Sequence, residues 1–375
     1  MARVKQVLIV GGGIGGLCAA IALRRAGIAV DLIEMNREWT VYHVGIVVQG
    51  NAIRALKALG IARQCIAIGF PYDGLMFADL AGKPLVDIHG VALAGPDYPA
   101  DLGLTRPALH RVLIGTALEL GTQVRLGTTY EKFEQTADRV MVKFSDGSSG
   151  EYDLMIGADG CFSKVRESLY GDRFVPQFTG QGVWRYNVPR PKELVRAVMI
   201  MGLQGGKAGF IPLTADTGYV LLVQAEPGNP RLPQAKLAEI FRGRLAPCTG
   251  FMASLREQIV DSSLVVYRPL KAVFVDAPWY NGRVVLMGDA VHPTTPHLGQ
   301  GAAQAMEDAV VLGEVLAQDT PVAEQLETYM QRRYERCKTI FNNSLQIGEW
   351  EQHPTPDADP AGLIQRTLQV VAQPI

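Results

Sequence analysis

Gly11-Gly12-Gly13-Ile14-Gly15-Gly16 follows directly on the apolar run Val7-Leu8-Ile9-Val10 and leads into a helical stretch from Leu17 to Ala26. A strand, a tight glycine turn and a helix in that order form a cradle for a pyrophosphate. Gly11 permits the turn, Gly13 lets the backbone approach the phosphates, and Gly16 lets helix and strand pack closely. Ile14 and Gly15 open the helix, whose free N–H groups and positive dipole end favour an anion. Glu34 ends the next strand, Ala29 to Ile33, eighteen positions after Gly16. A carboxylate at that point suits the hydroxyls of an adenosine ribose. The unit alone does not separate one adenine dinucleotide from another.

Two further segments carry glycines. Asp153-Leu154-Met155-Ile156-Gly157-Ala158-Asp159-Gly160 is a buried strand running into Asp-Gly, with Ser163 and Arg166 beyond it. Val284-Val285-Leu286-Met287 is another, followed by Gly288-Asp289-Ala290-Val291-His292-Pro293 and then by Gly299-Gln300-Gly301. The three segments in this order resemble the single-component flavoprotein monooxygenases, the aromatic hydroxylases related to para-hydroxybenzoate hydroxylase. The resemblance runs from residue 4 to about residue 336.

The resemblance implies FAD as cofactor, NADH or NADPH as co-substrate, and molecular oxygen. It implies hydroxylation of a small aromatic or heteroaromatic compound through a flavin hydroperoxide. Asp289 then accepts from the ribityl chain, and Pro293 and Pro296 stiffen the loop against the flavin ring. Gly299, Gly301 and Ala302 open a helix whose N-terminus faces the pyrimidine end. Arg106 matches a position that touches flavin. Asp159 is expected to be functional, besides capping the segment near Ser163, and Arg166 to be structural. Arg185 and Tyr219 are candidate substrate contacts, with Pro296 and His297. His297 is also the candidate base for a phenolic proton; a loop histidine bonded to backbone is its alternative. His292 is read as a loop-packing or flavin-shell residue. A flavin oxidoreductase without oxygen insertion, an NAD-linked Rossmann dehydrogenase and a non-enzymatic flavin fold are the competing readings.

The elements that must position these residues read as interleaved segments. The expected fold is α/β, a Rossmann-like FAD-binding domain interleaved with a mixed-sheet substrate domain. Residues 1–70, 100–178 and 271–345 form the first, and 71–99 and 179–270 the second. Residues 346–375 form a peripheral tail with a short helix near Ala361 to Val371. Strands are predicted over Thr122 to Leu126, Val140 to Phe144 and Tyr152 to Ile156, with Asp146-Gly147 turning the hairpin between the last two. Helices are predicted over Asn51 to Leu59, Pro107 to Leu120, Gln234 to Leu245, Ala302 to Ala317 and Val322 to Asn343. The last carries Arg332, Arg333, Glu335 and Arg336 as expected exposed charge.

At 375 residues, 48% of them apolar, the chain has material for about two domains and a large core. A net charge of −1 gives no electrostatic case for nucleic acid or an anionic membrane. Cys18, Cys65, Cys161, Cys248 and Cys337 are scattered without metal-ligand spacing, so no metal is expected and reduced cytoplasmic thiols are the simplest reading. No apolar run is long enough to span a bilayer.

Overall fold

The computed structural model describes residues 4–375. Its first sheet is built on Gln6–Val10, whose apolar residues are buried on both faces. Parallel strands flank it: Ala29–Glu34 on one side, with Val7 opposite Val30, and Leu154–Gly157 on the other, with Val7 opposite Leu154. Gln123–Leu126 closes one edge, and Val284–Leu286 with Tyr280–Asn281 the other. All three glycine-bearing segments therefore leave the carboxyl ends of adjacent parallel strands, where ligands of open α/β sheets bind. Helices Ile14–Arg25 and Gly301–Leu316 pack together so closely that a side chain at Gly313 would strike Ala22.

A seven-stranded sheet forms the second layer. Its order is Val266–Ala272, Gln177–Pro189, Thr217–Ala225, Gly206–Pro212, Ala197–Leu203, Leu75–Ala78 and Pro84–Ile88. One face packs on helices Leu237–Arg244 and Phe251–Arg256 around Trp184, Phe210 and Phe241. The other carries Val183, Ile211, Tyr219 and Leu221. A small sheet of Gly45–Gln49, Asp101–Thr105 and Phe70–Tyr72 lies between the layers.

Three local expectations change. The hairpin turning at Gly147, with φ +84°, pairs Val140–Phe144 with Ser149–Tyr152; Leu154–Gly157 is a separate strand in the parallel sheet. Asp153 breaks the run between them, because its carboxylate accepts from the N–H groups of Lys5 and Gln6. Helix Val322–Gln352 runs past Asn343, and Arg333 and Arg336 on it are buried, not exposed. They answer two buried carboxylates, Glu307 and Asp308, on the facing helix. The tail is also not peripheral. Helix Pro360–Ala372 docks its apolar face beside Leu298 and Ile340, and Arg54 and Arg336 bind its last carbonyls. Among the described residues, no helix is long and apolar enough to cross a membrane.

Candidate active site

The glycine turn after Gln6–Val10 divides its labour by position. Gly11 has φ +111°, a conformation that excludes most side chains, and a Cβ there would collide with the Ala158 carbonyl. A Cβ at Gly16 would collide with the Gly11 carbonyl and press on Ile9. At Gly13 a Cβ would meet nothing within 4 Å. Gly11 and Gly16 therefore make the turn, and Gly13 faces open space at a helix N-terminus.

That space is one cavity of about 1080 Å³ between the two sheets. Gly13, Ile14 and Gly15 line it at one end, with Asp289, Gly299, Gly301 and Ala302 beside them. Arg106, Arg185 and Tyr219 line it from the sheet side, and Pro296 and His297 from the loop between. Residues separated by almost the whole chain thus share one wall-to-wall space. Asp289 projects into it, with burial pushing its carboxyl upward against the opposing pull of His292 and Arg106.

Other expected residues are placed differently. Glu34 does not line the cavity; its carboxylate accepts from the Gly12 N–H at 2.9 Å and from the Asn36 backbone and amide N–H groups, pinning the turn. Asp159 also lies outside the lining. It caps helix Lys164–Tyr170, accepting from Ser163 Oγ at 2.5 Å and from the N–H groups of Lys164 and Val165. Arg166 donates to the carbonyls of Cys161, Phe174 and Ala290, so it ties the second glycine segment to the third.

His297 is deeply enclosed. Its imidazole has no exposed surface; Nδ1 lies 2.9 Å from Thr295 Oγ1 and Nε2 lies 3.2 Å from Glu351 Oε2. Both ring nitrogens lie against protein groups although the residue lines the cavity, a setting that suits a positioning residue better than a base in contact with substrate. Burial, reinforced by Lys207, pushes its pKa below the ordinary histidine value. Since the folded pKa is lowered, the stability tied to neutral His297 is lost as pH falls below about 6.5, where the unfolded chain protonates first. His297→Gln keeps a donor toward Glu351. It is expected to change kcat by less than about ten-fold and to leave the acid limb of the pH–rate profile in place. A loss of about 100-fold or more together with that limb would restore the base role.

Several site residues gave no sequence signal. Lys207 on strand Gly206–Pro212 lines the cavity, and its Nζ lies 2.7 Å from Glu351 Oε1. Burial pushes Glu351 upward, but Lys207 outweighs it and holds the carboxyl at about 2. Asn51, Gln49 and Gln300 form an amide cluster under the start of helix Gly301–Leu316, with Asn51 Nδ2 2.9 Å from Gln300 Oε1 and 3.0 Å from Glu307 Oε1. Ile364, Leu368 and Val371 of the tail helix line the cavity too. Only an alternation signal could have found Lys207: it stands on the cavity face of a strand that is otherwise apolar and glycine-rich.

Residues 5–344 match the family described as FAD binding domain. The chain belongs to that family. It is 32% identical over 357 residues to the aurachin C monooxygenase/isomerase of Stigmatella aurantiaca, covering 92% of this chain and 90% of that one. It is 31% identical over 355 residues, with the same coverage, to the 2-heptyl-3-hydroxy-4(1H)-quinolone synthase of Pseudomonas aeruginosa. The structure of Klebsiella pneumoniae HpxO complexed with FAD and uric acid superposes with a TM-score of 0.85 at 25% identity, over 98% of this chain and 92% of the other. The family is that of the FAD-dependent aromatic-hydroxylase monooxygenases, and the fold is that of para-hydroxybenzoate hydroxylase. The protein is an FAD-dependent monooxygenase. The residues fit FAD on their own terms: Gly13 and Gly301 leave open space where a ligand backbone would pass, and Asp289 points into the same cavity.

Proposed function

We propose that the enzyme inserts one oxygen atom of O2 into a small electron-rich heteroaromatic ring at the expense of NAD(P)H. The reaction balances as ring-H, O2, NAD(P)H and a proton giving ring-OH, water and NAD(P)+. The observation that supports this most is the single cavity joining a dinucleotide cradle to an apolar sheet wall. The quinolone and uric acid in the relatives' names are nitrogen heterocycles, which favours that ring class.

In this reading Gly13, Ile14 and Gly15 hold the pyrophosphate, Asp289 the ribityl chain, and Gly301 and Ala302 the pyrimidine end of the ring. Bound FAD supplies the two-electron and oxygen chemistry. The chain supplies the rest. The apolar wall of Val183, Ile211 and Leu221 keeps water from the reacting atoms. Tyr219 and Arg185 orient the substrate ring. The buried Lys207–Glu351–His297 group fixes the end of helix Val322–Gln352 against the sheet, and so fixes the back of the cavity. The five free cysteines support a reducing, cytoplasmic setting.

The test is a screen of hydroxypyridines, quinolones, purines and phenols against protein purified without added cofactor. The preparation is expected to be yellow and to release FAD on denaturation. At least one compound should raise NAD(P)H oxidation about ten-fold and leave as a product heavier by one oxygen atom. Bound NAD in place of flavin, or peroxide as the only oxygen product with every compound, would sink the reading.

A further inference from the structure

Among the described residues, two carboxylates line the cavity, Asp289 and Asp101. Asp289 belongs to the cofactor end, within reach of Arg106. Asp101 begins strand Asp101–Thr105 of the small sheet, whose Leu102 and Leu104 are buried in the core of the first domain. Alternation turns Asp101 and Gly103 to the opposite face, where a Cβ at Gly103 would strike the Pro212 carbonyl of the second sheet. The neighbouring strands set Gln49 on one side of Asp101 and Tyr72 on the other, and all three line the cavity.

Asp101 is 7% exposed and Tyr72 8%. Asp101 Oδ2 accepts from the Gly74 N–H at 2.9 Å; among the described residues its Oδ1 accepts from no donor, and the Tyr72 hydroxyl enters no hydrogen bond. The cations nearby are engaged elsewhere. Arg196, whose charge Asp101 feels through space, donates to both oxygens of Asp87, and His89 Nδ1 lies 2.6 Å from Asp73 Oδ2. Of the other cations lining the cavity, Lys207 is paired with Glu351, Arg268 stacks on Tyr42 and Lys271 on Phe162. Burial pushes the Asp101 carboxyl up to about 6 against the pull of the Gly74 N–H, so it is ionised at neutral pH. Tyr72 packs with Leu75, Ala197 and Ile211, which also line the cavity and offer no donor side chain. An enclosed carboxylate with a spare oxygen is costly unless a ligand supplies the donor. An ionised carboxylate only accepts, so the ligand group it meets carries an N–H or an O–H.

We infer that Asp101, with Tyr72 beside it, accepts a hydrogen bond from a ring N–H or ring O–H of the substrate, and so selects which rings the cavity takes and how they are turned. The inference rests on the monooxygenase reading and narrows its substrate class to rings that carry such a donor.

Two pairs of probes test it. 4(1H)-Quinolone and 3-hydroxypyridine carry the donor; 1-methyl-4-quinolone and 3-methoxypyridine have a methyl group in its place. Each is titrated into FAD-loaded protein and followed by flavin absorbance. At least one donor compound is expected to bind about 10-fold or more tightly than its methylated counterpart, the usual worth of a hydrogen bond to a charged group. Preference within the quinolone pair alone identifies an N–H subsite, and within the pyridine pair alone an O–H subsite. Asp101→Asn keeps an acceptor for the Gly74 N–H but loses the charge. It should shrink the preference to about three-fold or less while FAD affinity stays within about two-fold. A preference that came from bulk alone would persist. The inference is overturned if neither pair shows a preference, if the preference survives Asp101→Asn in full, or if Asp101→Asn loses FAD in place of the donor compound. The wild-type comparison holds even where the variant fails to fold. Turnover of the methylated compounds as fast as the donors would overturn the donor subsite and leave the monooxygenase reading intact; peroxide as the only oxygen product from a compound held through Asp101 would do the reverse.

Discussion

Gly13→Val is expected to give a folded protein that retains no FAD. The φ of Gly13 is −74° in extended backbone, which valine adopts without strain, and its Cβ would meet no protein atom within 4 Å. The cost therefore falls on the ligand alone. A branched side chain there occupies the approach to the first helix N–H groups, where each bond to a charged phosphate is worth roughly 1.5–3 kcal/mol. Losing two such bonds and adding a steric clash lowers FAD affinity by about 1000-fold or more. Gly16→Val is the control, because its Cβ runs into the Gly11 carbonyl and should compromise folding itself. The checks are flavin absorbance of the purified variants and circular dichroism melting. If Gly13→Val binds FAD within about ten-fold of wild type, the cradle is elsewhere.

The contrast between Gly13 and Gly16 was readable in the sequence because backbone geometry has few solutions. A strand, a glycine turn and a helix constrain where each glycine stands. The same holds for the order of the three segments and for the long helix after Gly301. Glu34 and Asp159 show the opposite. Their positions were legible, but a carboxylate at a strand end can serve a ligand or the nearest free N–H, and these two also serve Gly12, Lys164 and Val165. The third class was invisible. Lys207 and Glu351 stand 144 residues apart, as their numbers give, and meet only because the end of helix Val322–Gln352 packs beside the second sheet. Arg333 and Arg336 looked like solvent-facing charge on an amphipathic helix. Their partners lie on another helix, and no periodicity within Val322–Gln352 announces that.

Asp308→Ala is expected to cost about 3–5 kcal/mol of stability, the usual penalty for breaking a buried ion pair. Asp308 is fully buried and accepts from three groups: Arg333 Nε at 2.7 Å, His292 Nε2 at 2.8 Å and the Gly288 N–H at 2.8 Å. Truncation leaves Glu307 as the one carboxylate bonded to Arg333 and orphans the Gly288 amide at the base of the loop that carries Asp289. Asp308→Asn keeps an acceptor for Gly288 but removes the charge, so it should lose less FAD affinity than alanine while losing comparable stability. The pH dependence has a definite sign. Burial pushes the Asp308 carboxyl upward, but His292 and Arg333 outweigh it and hold it at about 2. A folded pKa below the unfolded value contributes stability that is full above about pH 4 and is lost as pH falls toward 2. Urea unfolding of wild type and both variants between pH 3 and 7 measures this. Wild type should lose stability steeply below pH 4, and the variants should show a flatter slope there because the titrating group is gone. An unchanged acid slope, or an Asp308→Ala variant within about 1 kcal/mol of wild type, would mean that Glu307 alone neutralises Arg333 and that the loop at Gly288 is held by its own backbone bonds.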